Sequence, residues 1–298
     1  GIGTASAYEL TARNKYVALL VDDPGQLGPY LASFSVIFNV GKLVGPPVGG
    51  LLLAATGPTL ALSLDAASYL LPIGSLLWLM RPHRDQERRS AAGAGATLRT
   101  AWRECGGSLR HVLRFTAVAC LVGFFHPGLA PLMAERLLGP SPLALGLFTS
   151  VIAAGSISGG IVLQRHAMAL SSRPGLLLGA STLITGVAQL GLAFGAAGAR
   201  EAHSLGLAMA FLIGLGTAAL LAGTNLIIQV HAPQVLRGRM AGLGQIAFLG
   251  GGGLSGLLAA GLSLWPPLGA WGCFGVLGSL GVALGARELG LRRQMRLL

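Results

Sequence analysis

The sequence predicts an all-α, polytopic membrane helix bundle, and three observations carry that prediction. Only 10% of the 298 residues are charged, against roughly a quarter in an ordinary soluble domain. The chain therefore lacks the polar surface to cover a water-facing body of its size. Hydrophobic residues make up 53% of it, and the mean hydropathy is +0.69. Uncharged runs at 43–64, 115–134, 137–164, 174–199, 202–236 and 240–286 mostly exceed the roughly 18 to 20 residues that a helix needs to cross a bilayer.

Turn signals divide these runs into eight complete spans, near 28–55, 58–80, 113–134, 142–164, 174–197, 204–230, 240–263 and 268–286. The breaks fall at Thr56-Gly57-Pro58, Gly139-Pro140-Ser141-Pro142 and Trp265-Pro266-Pro267, where glycine and proline end helices. Residues 1–21 hold Glu9, Arg13 and Lys15 beside the apolar stretch 16–21. That is neither a signal peptide nor a full span, and we expect the end of a helix that begins before Gly1.

The net charge of +11 invites a nucleic-acid reading, but the position of the charge opposes it. With the loop 81–114 placed in the cytoplasm, following the chain through each crossing puts eighteen basic residues on that side. Eight arginines lie in this loop, and the tail contributes Arg287, Arg292, Arg293 and Arg296. Only Arg136 and Arg200 fall on the other side, and Lys42 lies within a span. This is the positive-inside asymmetry. The expected partner is a lipid bilayer, with no nucleic acid, the loop 81–114 and the C-terminus being cytoplasmic.

Catalytic patterns are missing from the sequence. Cys105, Cys120 and Cys273 are scattered without the spacing of a disulfide framework or a zinc site. There is no P-loop for ATP-driven transport and no nucleophile beside a base. We expect no enzyme, no cofactor and no metal site.

The span 28–55 has the sharpest chemistry. Gly41, Gly45 and Gly49 recur every four residues and form a groove that lets another helix approach closely. Pro46 and Pro47 lack backbone donors and kink the helix. At about 100° per residue, Ser35, Phe38, Asn39, Lys42, Gly45, Pro46, Gly49 and Gly50 share one polar, small face. Val36, Ile37, Val40, Leu43, Val44, Val48 and Leu51 fill the other. A weaker repeat sets Asp22-Asp23-Pro24-Gly25-Gln26-Leu27 and His231-Ala232-Pro233-Gln234-Val235-Leu236 each before a glycine-rich span, the kind of parallel repeat found in two-halved transporters.

The run Gly41-Lys42-Leu43-Val44-Gly45-Pro46-Pro47-Val48-Gly49-Gly50 resembles the antiporter motif in the fifth helix of major facilitator superfamily exporters. Gly41, Gly45, Pro46, Gly49 and Gly50 match it, and Ala32 stands where the motif has an upstream glycine. Residues 1–13, and Thr224 to Gln229 with Arg237-Gly238-Arg239, are similar to the fourth helix and the tenth-to-eleventh helix region of the enterobactin-exporter-like, drug:proton antiporter branch. The resemblance implies two six-helix bundles, alternating access, and export of a small-molecule substrate, an amphipathic drug or siderophore, against an inward proton flow, in a plasma membrane of bacterial type. It implies an incomplete major facilitator fold lacking the first three helices and part of the fourth, and a chain that on its own does not transport. Residues 1–82 become the remnant of the N-terminal bundle, 83–112 a cytoplasmic linker, and 113–298 the C-terminal bundle with its basic tail. Rival readings are an importer or facilitator of the same superfamily, and a non-transporting truncated scaffold.

Individual residues then divide between functional and structural roles. Asp65 is the one carboxylate well inside a complete span; it is either a proton-coupling group or part of a supporting helix. Lys42 holds either an anionic substrate or a neighbouring helix end. Lys42 and Asp65 stand about 22 and 12 Å from the turn at Gly57 by helical rise, too different in depth for a direct pair. Thr224, Asn225 and Gln229 should face the bundle interior, because unpaired polar groups in lipid are unfavourable; they either touch substrate or tie helices together. His126, beside Pro127, titrates near neutrality in coupling or is a polar group at a kink. In the central loop, Leu98, Trp102, Cys105, Leu109 and Val112 alternate with Arg99, Arg103, Arg110 and Arg114, which suggests an amphipathic helix on an anionic membrane surface.

Overall fold

A computed structural model describes residues 27–79, 98–195, 202–265 and 269–295, all of whose regular structure is helical. In chain order the helices are α1 (Leu27–Ser68), α2 (Leu70–Leu79), α3 (Leu98–Glu104), α4 (Gly107–Gly123), α5 (His126–Leu138) and α6 (Pro142–Arg165). They continue as α7 (Ala167–Ser171), α8 (Pro174–Gly195), α9 (Ala202–His231), α10 (Gln234–Ser263) and α11 (Gly269–Met295). The chain divides into two compact units, residues 1–45 and 46–298. The described part of the first is the opening stretch of α1; everything below concerns the second unless stated.

Seven stretches among the described residues are long and apolar enough to cross a membrane. The first, Leu43–Trp78, contains Gly57 at φ 74° and ψ 170°. That positive φ suits glycine and marks the turn expected between the first two spans of the sequence reading. The stretch Gly107–Leu138 is interrupted between α4 and α5, where the sequence suggests one span over 113–134. At Gly139-Pro140-Ser141-Pro142 the expected turn is present. Gly139 has φ 93°, the Ser141 hydroxyl accepts from the Ala144 amide at 3.0 Å, and Pro142 occupies the first turn, where its missing N–H costs nothing.

Tight packing comes from glycine. A Cβ on Gly186 would lie 2.6 Å from the Val282 amide nitrogen, and one on Gly285 2.7 Å from that of Leu183, so α8 and α11 meet backbone to backbone. Between α6 and α9, Cβ atoms on Gly155 and Gly214 would run into the carbonyls of Phe211 and Ile152 respectively. Ser156 of α6 also donates to the Gly214 carbonyl at 3.2 Å. In lipid, helix association rests on such close approach and on interhelical hydrogen bonds.

Two apolar clusters fill the bundle. One contains Cys105, Leu109, Val112, Phe115, Ile228 and Met240; the other contains Phe125, Met133, Phe148, Ile213, Phe274 and Leu277. The gap between α4 and α5 falls where one cluster gives way to the other. Outward surfaces are apolar too, with Leu71, Leu77 and Trp78 at 78%, 81% and 89% exposure, as a bilayer-facing protein requires. The apolar stripe of the central loop behaves differently from a membrane-surface helix: Ala101 and Cys105 are buried in the first cluster and Trp102 packs against it. The turn at Gly106-Gly107 folds α3 onto the bundle, leaving Arg99 and Arg103 exposed.

Candidate functional site

A cavity of about 400 Å³ opens where α1, α5 and α6 converge. Proline determines its shape. Pro46 of α1, Pro127 and Pro131 of α5 and Pro142 of α6 all line it, and Pro46 and Pro131, inside their helices, lack the N–H that would close a turn. Two glycines set the closest approach of α1 to α6. A Cβ on Gly50 would stand 2.8 Å from the Pro142 carbonyl oxygen, and one on Gly146 2.5 Å from that of Pro46. The helices therefore touch at two glycine–proline pairs and part beside them, leaving the space lined by Gly49, Leu53, Ala130 and Leu145. Thr149 is the one polar side chain in the described lining, and its hydroxyl already donates to the carbonyls of Leu145 and Gly146, at 2.8 and 3.0 Å. No ionisable side chain appears among the described lining residues. Such a cavity accommodates an apolar body of drug size.

The motif residues divide at this cavity. Pro46, Gly49 and Gly50 line it. Gly41 and Gly45 lie in the first unit, and no heavy atom of the described residues comes within 4 Å of where a Cβ would stand. The side chains of Asn39 and Lys42 lie outside the described residues.

The second notable feature is the interruption between α4 and α5. In an unbroken helix the Gly123 carbonyl would accept from residue 127, which is proline. Gln189 of α8 supplies the missing donor, its Nε2 donating to Gly123 O at 2.8 Å. His126 Nδ1 approaches the same oxygen at 3.4 Å, and its ring meets Phe124 edge-on at 5.2 Å. His126 is buried and Gln189 fully so, while Gln189 Oε1 has no hydrogen-bond partner among the described residues. His126 is thus placed at a kink, beside a proline that also lines the cavity.

The remaining candidates do not gather at the cavity. Thr224 is buried; its hydroxyl shares a 2.8 Å hydrogen bond with that of Thr116 on α4 and reaches the Leu220 carbonyl at 2.8 Å. Asn225 is half-buried and Gln229 exposed. Asp65 is exposed on α1, beyond the Gly57 break. No cluster of histidine, cysteine and acidic side chains fit to hold a metal ion occurs among the described residues.

Sequence reasoning missed one polar contact. Glu288 of α11 is buried, and both its carboxylate oxygens lie 3.0 Å from His111 Nε2 on α4. The two residues are 177 apart in sequence, and the last expected span stops at 286, so no local pattern joined them. An acid directly after Arg287 in a stretch read as basic tail was the available signal.

The transmembrane secretion effector family model matches residues 27–284. The multidrug efflux pump Tap of Mycolicibacterium fortuitum is 26% identical over 228 residues, covering 73% of this chain and 53% of the pump. The match thus spans about half the length of that relative.

Proposed function

This chain belongs to the transmembrane secretion effector family of major facilitator-type membrane transporters, and from that premise we propose that it exports a small amphipathic molecule, a drug or a siderophore, coupled to inward proton flow by alternating access. The observation that carries the proposal is the cavity of about 400 Å³ walled by the antiporter-motif residues Pro46, Gly49 and Gly50. Its apolar lining suits a greasy substrate body, and two close glycine–proline approaches join α1 to α6 beside it, so small helix displacements change its opening. That the relative from Mycolicibacterium fortuitum is a multidrug efflux pump supports the outward direction.

Within this proposal residues 1–82 belong to the N-terminal bundle, 83–112 to a linker, and 113–298 to the C-terminal bundle. The loop 81–114 and the C-terminus lie in the cytoplasm of a bacterial cell, which the arginine distribution supports. We assign proton exchange to Asp65 and His126, which the sequence places within the spans 58–80 and 113–134. Lys42, Asn39, Asn225 and Gln229 are the polar groups offered to substrate, and Thr224 ties α9 to α4.

The test is dye efflux from pump-deficient bacteria carrying the complete gene. Cells should accumulate several-fold less ethidium than vector controls, a protonophore should abolish the difference, and Gly50→Leu, whose side chain collides with the Pro142 carbonyl, should do the same. Accumulation equal to the vector control would refute export. Efflux that persists with the protonophore would refute proton coupling alone.

A further inference from the structure

The start of α4 and the neighbouring α3 carry a basic cluster that the proposed transport leaves unused. Arg99 and Arg103 stand one turn apart on α3 and are exposed, because Ala101 and Cys105 on the opposite side enter the core. Arg114 is exposed on α4, and its guanidinium carbon lies 5.4 Å from the centroid of the Trp102 ring. That contact joins the two helices into one surface. Arg110, one turn before Arg114, is partly buried, and its Nε has no hydrogen-bond partner among the described residues. A shielded guanidinium nitrogen left without an acceptor is costly, and an anion is the natural acceptor. The described acid on α3 is the exposed Glu104. In the first turns of α4 His111 is engaged with Glu288.

Position identifies the anion. The apolar stretch that crosses the membrane starts at Gly107, so α3 and the first turns of α4 lie at the boundary between hydrocarbon and water. Indole rings settle at that depth, and basic groups beside membrane helices bind acidic headgroups. Arginine adds a planar fork that matches phosphate oxygens. The opposite end of the bundle has a weaker version, in which Arg136 stands 6.0 Å from the Trp271 ring directly after the acid Glu135.

We propose that Arg99, Arg103, Arg110 and Arg114, arranged around Trp102, form a binding site for the phosphate headgroup of an anionic phospholipid. The site depends on the chain spanning a membrane and not on the direction or chemistry of transport, so it can fail while the export proposal stands.

The experiment reconstitutes the full chain into nanodiscs of phosphatidylcholine alone or with 30% phosphatidylglycerol, and measures retained lipid by native mass spectrometry alongside melting temperature. Wild type should retain phosphatidylglycerol and melt several degrees higher in the mixed discs. Near an anionic surface each arginine is worth about fivefold in partitioning. Arg99→Gln with Arg103→Gln and Arg114→Gln should therefore reduce retention at least tenfold and remove the melting difference. Arg136→Gln should leave both unchanged. Should the triple variant fail to fold, Arg103→Gln alone on its exposed site should lower retention about fivefold. Retention unchanged in these variants would overturn the site. If millimolar inorganic phosphate in phosphatidylcholine discs reproduces the whole melting shift, the site takes a free anion and the lipid assignment is wrong.

Discussion

Glycine does opposite things in two parts of this molecule. On α6, α8, α9 and α11 it is consumed: Gly155, Gly214, Gly186 and Gly285 each press against the backbone of a neighbouring helix. On α1 the same residue type is left open. Gly50 meets Pro142, but around Gly49 none of the described residues lies within 4 Å of where a Cβ would stand. Among the described residues none of the most apolar stretch of Leu43–Trp78 is buried, against 56% of that in Pro174–Phe194. A small-residue stripe therefore signals close approach without saying whether the approach is permanent. In the bundle it is a fixed joint; in α1 it borders a cavity, where a face free to open and close is useful to a transporter.

The contrast breaks first if the bundle joint tolerates volume. Gly155→Val pushes two methyl groups toward the Phe211 carbonyl, with no flexible side chain to give way. Overpacking of this kind should cost on the order of 3 kcal/mol, roughly a 10 °C fall in melting temperature for a bundle of this size. Size-exclusion profiles and thermal melts would check it, and a near-wild-type melt would mean the joint is looser than its geometry. Gly146→Ala is the matching test at the cavity. Its Cβ would stand 2.5 Å from the Pro46 oxygen, yet α1 has open space beside it into which to retreat. The expected stability loss is smaller, about 1 to 2 kcal/mol, while ethidium efflux from the complete gene should fall at least fivefold.

Much of this organisation was legible in the sequence because punctuation residues act locally. Gly57 kinks α1, and Gly139 and Ser141 end and start helices, where the sequence puts its breaks, and the expected span 142–164 is α6, Pro142–Arg165. Of the residues in the antiporter-like run, Pro46, Gly49 and Gly50 line the cavity. What escaped was tertiary. A hydropathy reading runs straight through 113–134, because Phe124 and Phe125 are as apolar as the helix around them. Only the hydrogen-bond accounting at Pro127 exposes the break, and its compensation by Gln189 comes from another helix. The apolar stripe of the central loop was correctly periodic, but periodicity does not say whether lipid or protein covers it. His111 with Glu288 was invisible for the same reason.

The Gln189 bridge tests whether the broken span is held by that one side chain. Gln189→Leu leaves the Gly123 carbonyl with only the longer His126 contact, at 3.4 Å, but also removes the unpartnered Oε1. An unmet buried acceptor costs about 1 to 3 kcal/mol, offset in part by losing the other. A net loss of about 1 kcal/mol, or a melting decrease of roughly 2 to 4 °C, is expected. A gain in stability would mean that His126 alone satisfies the turn.

The smallest effect is the most discriminating, because its sign differs from the rest. Gly49 lies inside α1 and its Cβ position is open, so alanine there meets no steric penalty. Replacing glycine by alanine in a helix interior adds about 0.5 to 1 kcal/mol of stability by reducing the freedom of the unfolded chain. Gly49→Ala should thus melt slightly higher than wild type, by roughly 1 to 3 °C. If the open face works as a moving contact around substrate, the same methyl group narrows the cavity that Gly49 lines, and efflux should fall two- to threefold despite the added stability. Stability and transport moving in opposite directions at one residue would separate a working face from a packing face. Were both to rise together, α1 would be no different from α8 in kind, and its glycines would be spacers awaiting a fixed neighbour.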